Sequence, residues 1–425
     1  MTPEAIRALA SADRIDRRVY SDPAIFALEM ERIFARAWIY VGHESQVARP
    51  GDYFTTTLAG RPVVMIRGDD GTVHVLRNRC GHRGAVVVTQ RSGSARLLRC
   101  PYHGWTFRRD GALDAVPLPD GYAGSGFDRC DPAYGMPRLP RVGSYRGFVF
   151  ASLAGEGPDL EGFLGAARGS LDNMVDRAPD GELEVAGGGF RAIQRNNWKI
   201  YLENLHDGVH APVVHQASIE ASRSAAARPD ARPSFALDVV AANGAGYRTM
   251  GALQVNCYPH GHSDMRGFRR TDADDPQFAE YVALLSARLG RERAGEVLAD
   301  NRHNAMVYPS FSVHPAFQQL RVIIPLAVDR TLVEVWCLRM KGAPPLLHRR
   351  TVAFANAVHS PASIVKVDDL EAYERVQNGL VHEAPSWVSA ERGAAGDPAA
   401  SSSALDERFI RNQYAAWRNY MAGPA

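Results

Sequence analysis

Four residues in two short stretches carry the first sign of chemistry. Cys80 and His82 lie one residue apart in Asn78-Arg79-Cys80-Gly81-His82-Arg83-Gly84. Cys100 and His103 lie two residues apart in Leu98-Arg99-Cys100-Pro101-Tyr102-His103-Gly104-Trp105, with seventeen residues separating the halves. Thiolate and imidazole are ligands for zinc or for an iron–sulfur centre. Zinc sites of two Cys and two His usually take both Cys from one half. Here each half supplies one of each, which suits a two-iron cluster with Cys80 and Cys100 on one iron and His82 and His103 on the other. Two neutral imidazoles in place of thiolates lower the negative charge and raise the potential. Gly81, Gly84 and Gly104 let backbone N–H groups approach the sulfurs, and Trp105 either covers the cluster or belongs to the core.

The second constellation runs from Asn196 to His215. On a helix from Trp198 to His210, Glu203, Asp207 and His210 share one face at i, i+4 and i+7. Pro212 cannot sustain the ladder, and a break there brings His215 back towards His210. Two His and one carboxylate on one side of a metal form the facial triad of non-haem Fe(II) oxygenases, with positions left open. The stretch Asp368-Asp369-Leu370-Glu371 offers the carboxylate downstream; a solvated helix start, favourably placed for the dipole, is the plain alternative.

The first pattern resembles the Rieske family. Respiratory Rieske proteins resemble it but add a disulfide at the places of Ala85 and Tyr102, so its absence points to the oxygenase or ferredoxin branch. The second stretch resembles the catalytic motif of the alpha (large, terminal oxygenase) subunit of Rieske non-haem iron aromatic ring-hydroxylating oxygenases. The matching residues are Asn197-Trp198-Lys199, Glu203-Asn204, and Asp207-x-x-His210-x4-His215. That resemblance implies a [2Fe–2S] Rieske cluster on Cys80, His82, Cys100 and His103, and a mononuclear Fe(II) on His210 and His215. The third ligand is the second Asp of an acidic pair with a Glu five residues later, which is Asp369 before Glu374; Asp368 competes. Asp207 is implied to be a bridge between His210 and the cluster His103 of a neighbouring subunit, with Glu203 and Asn204 as further catalytic candidates. O2 is the implied co-substrate, with NAD(P)H electrons delivered through a partner reductase and sometimes a ferredoxin. A homotrimer, or an α3β3 assembly with a small beta subunit, is the implied form. The implied reaction is hydroxylation of a small aromatic substrate, an aromatic acid or a related compound. The alternatives are a Rieske monooxygenase that hydroxylates or demethylates a non-aromatic or N/O-methyl substrate, and, from another class, a Rieske electron-transfer protein. Pocket candidates are Asn204, Val209, Val214, Leu253, Val255, Phe311, Val313, Phe317 and Arg321, the last able to grip a carboxylate.

The elements that must position these groups follow from pattern. Short alternating stretches separated by turn pairs, from Tyr53 to about Gly155, predict an antiparallel β domain. Beyond it helical and strand signals alternate, giving an α+β domain with an antiparallel sheet; the resemblance implies a helix-grip, START-like form. Helices are expected at Ala24–Ala37, Leu160–Val175, Ser360–Gln377 and Leu405–Met421. Strands are expected at Glu182–Gln194, Phe235–Ala241, Gly246–Val255, Ser310–His314, Gln319–Leu326 and Leu332–Leu338. Ala394–Ala404 reads as a surface loop. The expected division is 1–40 as a helical segment packing on the catalytic domain, 41–155 as the Rieske domain and 156–425 as the catalytic domain. Over 425 residues, 49 Lys+Arg against 47 Asp+Glu leave a net charge of +2, too little field for a nucleic-acid binder. No apolar run reaches the roughly 18 residues of a membrane span, and residues 1–18 lack the apolar core of a secretory signal. Five cysteines suit a reducing compartment, the cytoplasm. Cys130, Cys257 and Cys337 read as buried apolar residues.

Overall fold

A computed structural model describes residues 1–423 apart from 188, 233, 268–275, 383–385 and 397–401. The chain divides into two compact units, one of residues 34–160 and one of residues 1–33 with 161–425.

The smaller unit is built from antiparallel β-structure. Strands Val73–Arg77, Arg61–Arg67, Asp52–Leu58 and Ser92–Ser94 form one sheet in that order; Leu98–Arg99, Thr106–Phe107 and Leu113–Ala115 form a second. A third sheet joins Arg141–Tyr145, Phe148–Ser152 and Ile39–His43. The last pairing draws residues 39–43 into this unit, and the Trp38 indole donates to the Pro158 carbonyl at 2.9 Å. Both unit boundaries therefore fall a few residues outside 41–155. Val64, Ile66, Leu76, Leu98, Phe107 and Leu113 form a core beneath the two cysteine loops.

The larger unit holds a nine-stranded antiparallel sheet among the described residues. Leu183–Val185 and Phe190–Gln194 both pair with the long strand Arg330–Met340. Beyond it come Gln319–Ala327, Phe311–His314, Arg302–Val307, Ser263–Arg266, Gln254–Cys257 and Ser402–Ser403. Helices include Trp198–Asn204, Gln216–Ala226, Phe235–Ala242, Pro345–Phe354, Lys366–Gly379 and Arg408–Ala422.

Several expectations need correction. Phe235–Ala242 is a helix, capped by the Ser234 hydroxyl, and Tyr247–Gly251 is another; only Gln254–Cys257 is strand there. Apolar runs this short do not distinguish a strand from a helix by pattern alone. The segment after Pro23 is a helix only to Glu29, then a π turn over Met30–Phe34. Ser360 ends a second π turn, Ala355–His359, and the next helix starts at Lys366, whose N–H donates to the Ser363 hydroxyl at 2.9 Å. Of the Ala394–Ala404 stretch, 397–401 lie outside the described residues, and Ser402–Ser403 is an edge strand. Cys130 is exposed and Cys257 half-buried; only Cys337 of the three is buried. No helix among the described residues is long and apolar enough to cross a membrane.

Candidate metal centres and the adjoining cavity

The two cysteine loops are near copies of one turn. The Cys80 N–H donates to the Ala85 carbonyl at 2.8 Å and Gly84 N–H to the Cys80 carbonyl at 3.0 Å; the Cys100 N–H donates to the Trp105 carbonyl at 2.8 Å and Gly104 N–H to the Cys100 carbonyl at 3.1 Å. Gly84 and Gly104 hold φ of +78° and +72°, which a Cβ would strain. Both cysteines are buried, and burial pushes the Cys80 thiol up, with Cys100 hydrogen-bonded beside it. The imidazoles of His82 and His103 face each other at 4.7 Å between ring centroids, and the Trp105 indole lies stacked on His82 at 4.8 Å. His82 Nδ1 is buried with no hydrogen-bond partner among the described residues. Thiol beside thiol and imidazole beside imidazole, with an orphaned ring nitrogen, fit a [2Fe–2S] group of the mixed-ligand kind.

In the larger unit, the Asn197 side chain accepts from the Lys199 N–H and starts the helix Trp198–Asn204. The helix stops there, so Asp207 and His210 stand on a turn rather than on a continuing helical face. The Asp207 carboxylate accepts the Val209 N–H at 2.7 Å and shapes that turn. Pro212 falls in the first turn of the short helix Ala211–Val214, where its missing N–H costs nothing. His215 (φ −96°, ψ 18°) joins that helix to Gln216–Ala226.

This kinked path gathers His210, His215 and Asp369, each offering one ligand atom, all within 4.8 Å of one another. Asp369 Oδ1 is 3.4 Å from His215 Nε2 and 3.8 Å from His210 Nε2. Ligands about 2.1 Å from a shared ion would stand at such separations. The outer contacts leave Asp369 Oδ1 and His215 Nε2 to a metal, whereas His210 Nε2 also has Asn204 at hydrogen-bond distance. Asp369 Oδ2 faces the ammonium of the buried Lys366 at 3.3 Å, whereas Oδ1 has no donor in hydrogen-bonding geometry among the described residues. His215 Nδ1 lies 3.3 Å from Asp368 Oδ2, and His210 Nδ1 lies 3.6 Å from Asp207 Oδ2. The carboxylate at His215 Nδ1 fixes the ring proton there and turns that ring's Nε2 lone pair to the ion, whereas His210 Nδ1 has no partner in hydrogen-bonding geometry among the described residues. Burial works against both charged forms. Even so, Lys366 and the two imidazoles hold the Asp369 carboxyl below its usual range, and the Asp369 and Asp368 carboxylates raise the His215 imidazole above its own. A carboxylate kept ionised beside two imidazole nitrogens is a site for a cation.

Asn204 Nδ2 lies 2.9 Å from His210 Nε2. Glu203 is turned elsewhere: it accepts from Tyr20 and Tyr414 hydroxyls at 2.9 and 2.6 Å, and burial pushes its carboxyl up to about 7. It does not line the cavity, whereas the next residue, Asn204, does. Glu374 pairs with Arg195 at 3.1 Å and Glu371 with Arg375, both away from the triad.

A cavity of about 180 Å³ opens beside the triad. Asn204, Leu253, Phe317 and Arg321 line it, as do Tyr201, Met250, Phe235 and Phe354. Val209, Val214, Val255, Phe311 and Val313 do not. Along Phe311–His314 the side chains alternate, so His314 faces the cavity while Phe311 and Val313 pack into the other face. His303, Asn304, His314, His359 and Lys366 also line the cavity and escaped the sequence reading. For His314, in an expected strand, the signal was available in strand alternation; Arg302–Val307 was not among the expected strands, and for His359, on a π turn, there was none.

Fold and sites together define a terminal oxygenase that couples an iron–sulfur electron store to a mononuclear iron. Comparison with known proteins narrows this. Residues 37–128 match the Rieske [2Fe–2S] domain and residues 184–423 the ring-hydroxylating alpha subunit catalytic domain. The alpha subunit of toluate 1,2-dioxygenase from Pseudomonas putida is 33% identical over 370 residues, 86% of this chain and 79% of that one. The large subunit of 2-halobenzoate 1,2-dioxygenase from Burkholderia cepacia is 31% identical over 384 residues, 90% of this chain and 80% of that one. A crystal structure of a naphthalene 1,2-dioxygenase variant bound to phenanthrene superposes with a TM-score of 0.83 at 25% identity, over 99% of this chain and 95% of that one. The chain belongs to the ring-hydroxylating oxygenase alpha subunits with a Rieske domain. It is an oxidoreductase that carries a [2Fe–2S] cluster and a mononuclear iron, uses O2, and takes NAD(P)H electrons through a reductase. Subunits of this kind work with a reductase or ferredoxin and form oligomers.

Proposed function

We propose that this chain hydroxylates single-ring aromatic acids, with Cys80, His82, Cys100 and His103 holding the cluster and His210, His215 and Asp369 the mononuclear iron. The cavity carries the reading. A cavity on the order of 150 Å³ takes benzene, so about 180 Å³ suits one ring with a small substituent. Its walls include the rings of Phe317 and Phe354, stacked at 3.9 Å, and its far lining is polar. The relatives named for toluate and 2-halobenzoate support the same substrate class.

The chain's own residues hold and orient. The iron, when bound, supplies reductive activation of dioxygen next to the ring. Asp368 sets the His215 tautomer, and Lys366 occupies one oxygen of Asp369. Phe235, Phe317 and Phe354 exclude water and present a flat slot. Asp207 is the electron bridge to the partner subunit's His103, in a homotrimer or in an α3β3 assembly with a small beta subunit. A chain with only five cysteines, two of them given to the cluster, suits a reducing compartment, the cytoplasm.

The test is single-turnover product analysis of reduced, iron-replete enzyme with benzoate and its methyl and halogen derivatives under 18O2. Labelled hydroxylated ring acid is expected. Unlabelled product, or no product from any single-ring acid while neutral rings are oxidised, sinks the reading.

A further inference from the structure

The cavity has a second, polar end that the metal site does not explain. His303 and Asn304 come from Arg302–Val307, His314 from Phe311–His314, Arg321 from Gln319–Ala327 and His359 from the π turn Ala355–His359. These are three neighbouring strands and one irregular turn converging on one wall.

His314 is 1% exposed. Its Nδ1 accepts the Phe317 N–H at 3.4 Å, so the ring proton sits on Nε2. Nε2 is buried and has no acceptor among the described residues. Arg321 is 2% exposed. One terminal nitrogen donates to Asn304 Oδ1 at 2.5 Å, while the Nε–H has no acceptor and no carboxylate pairs with the guanidinium among the described residues. His359 Nε2 is likewise buried and unmet. The His303 ring lies 4.3 Å from that of His314. Burial and then neighbouring positive charge, including Arg321, keep these imidazoles neutral; His303 is pushed down to about 3. The Lys366 ammonium near His359 is met by Asp369, so among the described residues of this wall the guanidinium is the charge without a counter-ion, a buried cation with an unused donor. Such a group is costly unless an anion meets it.

We propose that the His314 Nε2–H and the Arg321 Nε–H receive the carboxylate of the substrate, making His314 the residue that selects ring acids over neutral rings of the same size. This rests on the aromatic-acid reading above and adds the group that recognises the acid. Holding the ring by its carboxylate also decides which ring carbons face His210, His215 and Asp369.

The test compares benzoate with nitrobenzene, which is planar, similar in size and uncharged. Binding of each to the anaerobic, metal-loaded enzyme is measured by calorimetry for wild type, His314→Leu and His314→Gln. A hydrogen bond to a charged group accounts for about a tenfold or greater change in affinity. The benzoate-over-nitrobenzene preference should fall at least that far in His314→Leu, and His314→Gln, which retains an N–H donor, should keep most of it. An unchanged preference in His314→Leu, or equal loss in both variants, overturns the anchor. The two readings fail differently. Wild type that converts benzoate alongside an indifferent His314→Leu removes only the anchor. Wild type that oxidises neutral rings but neither binds nor converts benzoate removes the aromatic-acid reading and the anchor with it.

Discussion

Asp368 and Asp369 are adjacent acids in the first turn of one helix, and they should fail in different ways. Asp369 Oδ1 faces both imidazole Nε2 atoms, whereas Asp368 Oδ2 touches only His215 Nδ1, at 3.3 Å. Truncating Asp368 removes a partner that orients a ligand and raises its basicity. Losses of that kind run to about 10–100-fold in metal affinity, or about 1.4–2.8 kcal/mol at 1.4 per factor of ten. Asp368 is partly exposed, so water can replace part of its contact and the lower half of that range is expected. Asp369→Ala instead deletes one of three protein ligands and leaves the Lys366 ammonium buried beside the site, so iron should not be retained at all. The assay is Fe(II) titration of the cluster-loaded enzyme, with the cluster's visible absorption as an internal measure of intact protein. Asp368→Ala should need about ten times more Fe(II) for half-occupancy. Affinity within twofold of wild type would refute the orienting role. An Asp369→Ala protein that still binds iron, beside an Asp368→Ala protein that does not, would exchange the two assignments.

Asp207→Asn should keep both metal sites loaded and sharply slow reoxidation of the reduced cluster by O2 with substrate present, read by stopped-flow; wild-type reoxidation rates would remove Asp207 from the electron path. Lys199→Met should cost about 3–5 kcal/mol in urea unfolding, because Lys199 meets the buried Glu29 at 2.6 Å and its loss leaves that carboxylate unpaired. Adding Glu29→Gln should recover much of the loss, and a double variant no better than the single one would count against the pairing. His262 donates from Nε2 to the Phe163 carbonyl at 2.8 Å and accepts the Tyr308 N–H at Nδ1, at 3.0 Å. Burial pushes its imidazole down to about 3, so the folded state holds fewer protons than the unfolded chain below about 6.5. Its contribution is complete above that pH and falls by about 1.4 kcal/mol per pH unit towards 3. His262→Gln should shallow the acid limb of a Tm-against-pH curve; an unaltered slope would show that His262 titrates normally.

The sequence was most legible where chemistry demands a fixed local spacing. Cys-x-His and Cys-x-x-His each occupy one turn, and the positive φ of Gly84 and Gly104 is written into residue type. His210 and His215 were legible for the same reason, although the supposed continuous helix was not: Asn204 ends it, and the Asp207 turn does the positioning. Asp369 was reachable only through resemblance, since spacing does not say which acid of a pair turns inward. Lys366 decides that, by holding Oδ2. The cavity was least legible. Val313 and His314 are adjacent, yet only His314 lines the cavity, and a one-residue error in strand phase exchanges wall for core. Phe235–Ala242 misled because Phe, Leu and Val suit a half-buried helix as well as a strand.

The π turn at Ala355–His359 sets the aim of His359 by carrying one residue more per turn than the helix Pro345–Phe354 that leads into it. Deleting a single residue there would restore ordinary winding and turn the imidazole away from its present direction. The lining of the cavity in this scaffold is thus open to insertion and deletion, a coarser kind of genetic change than point substitution.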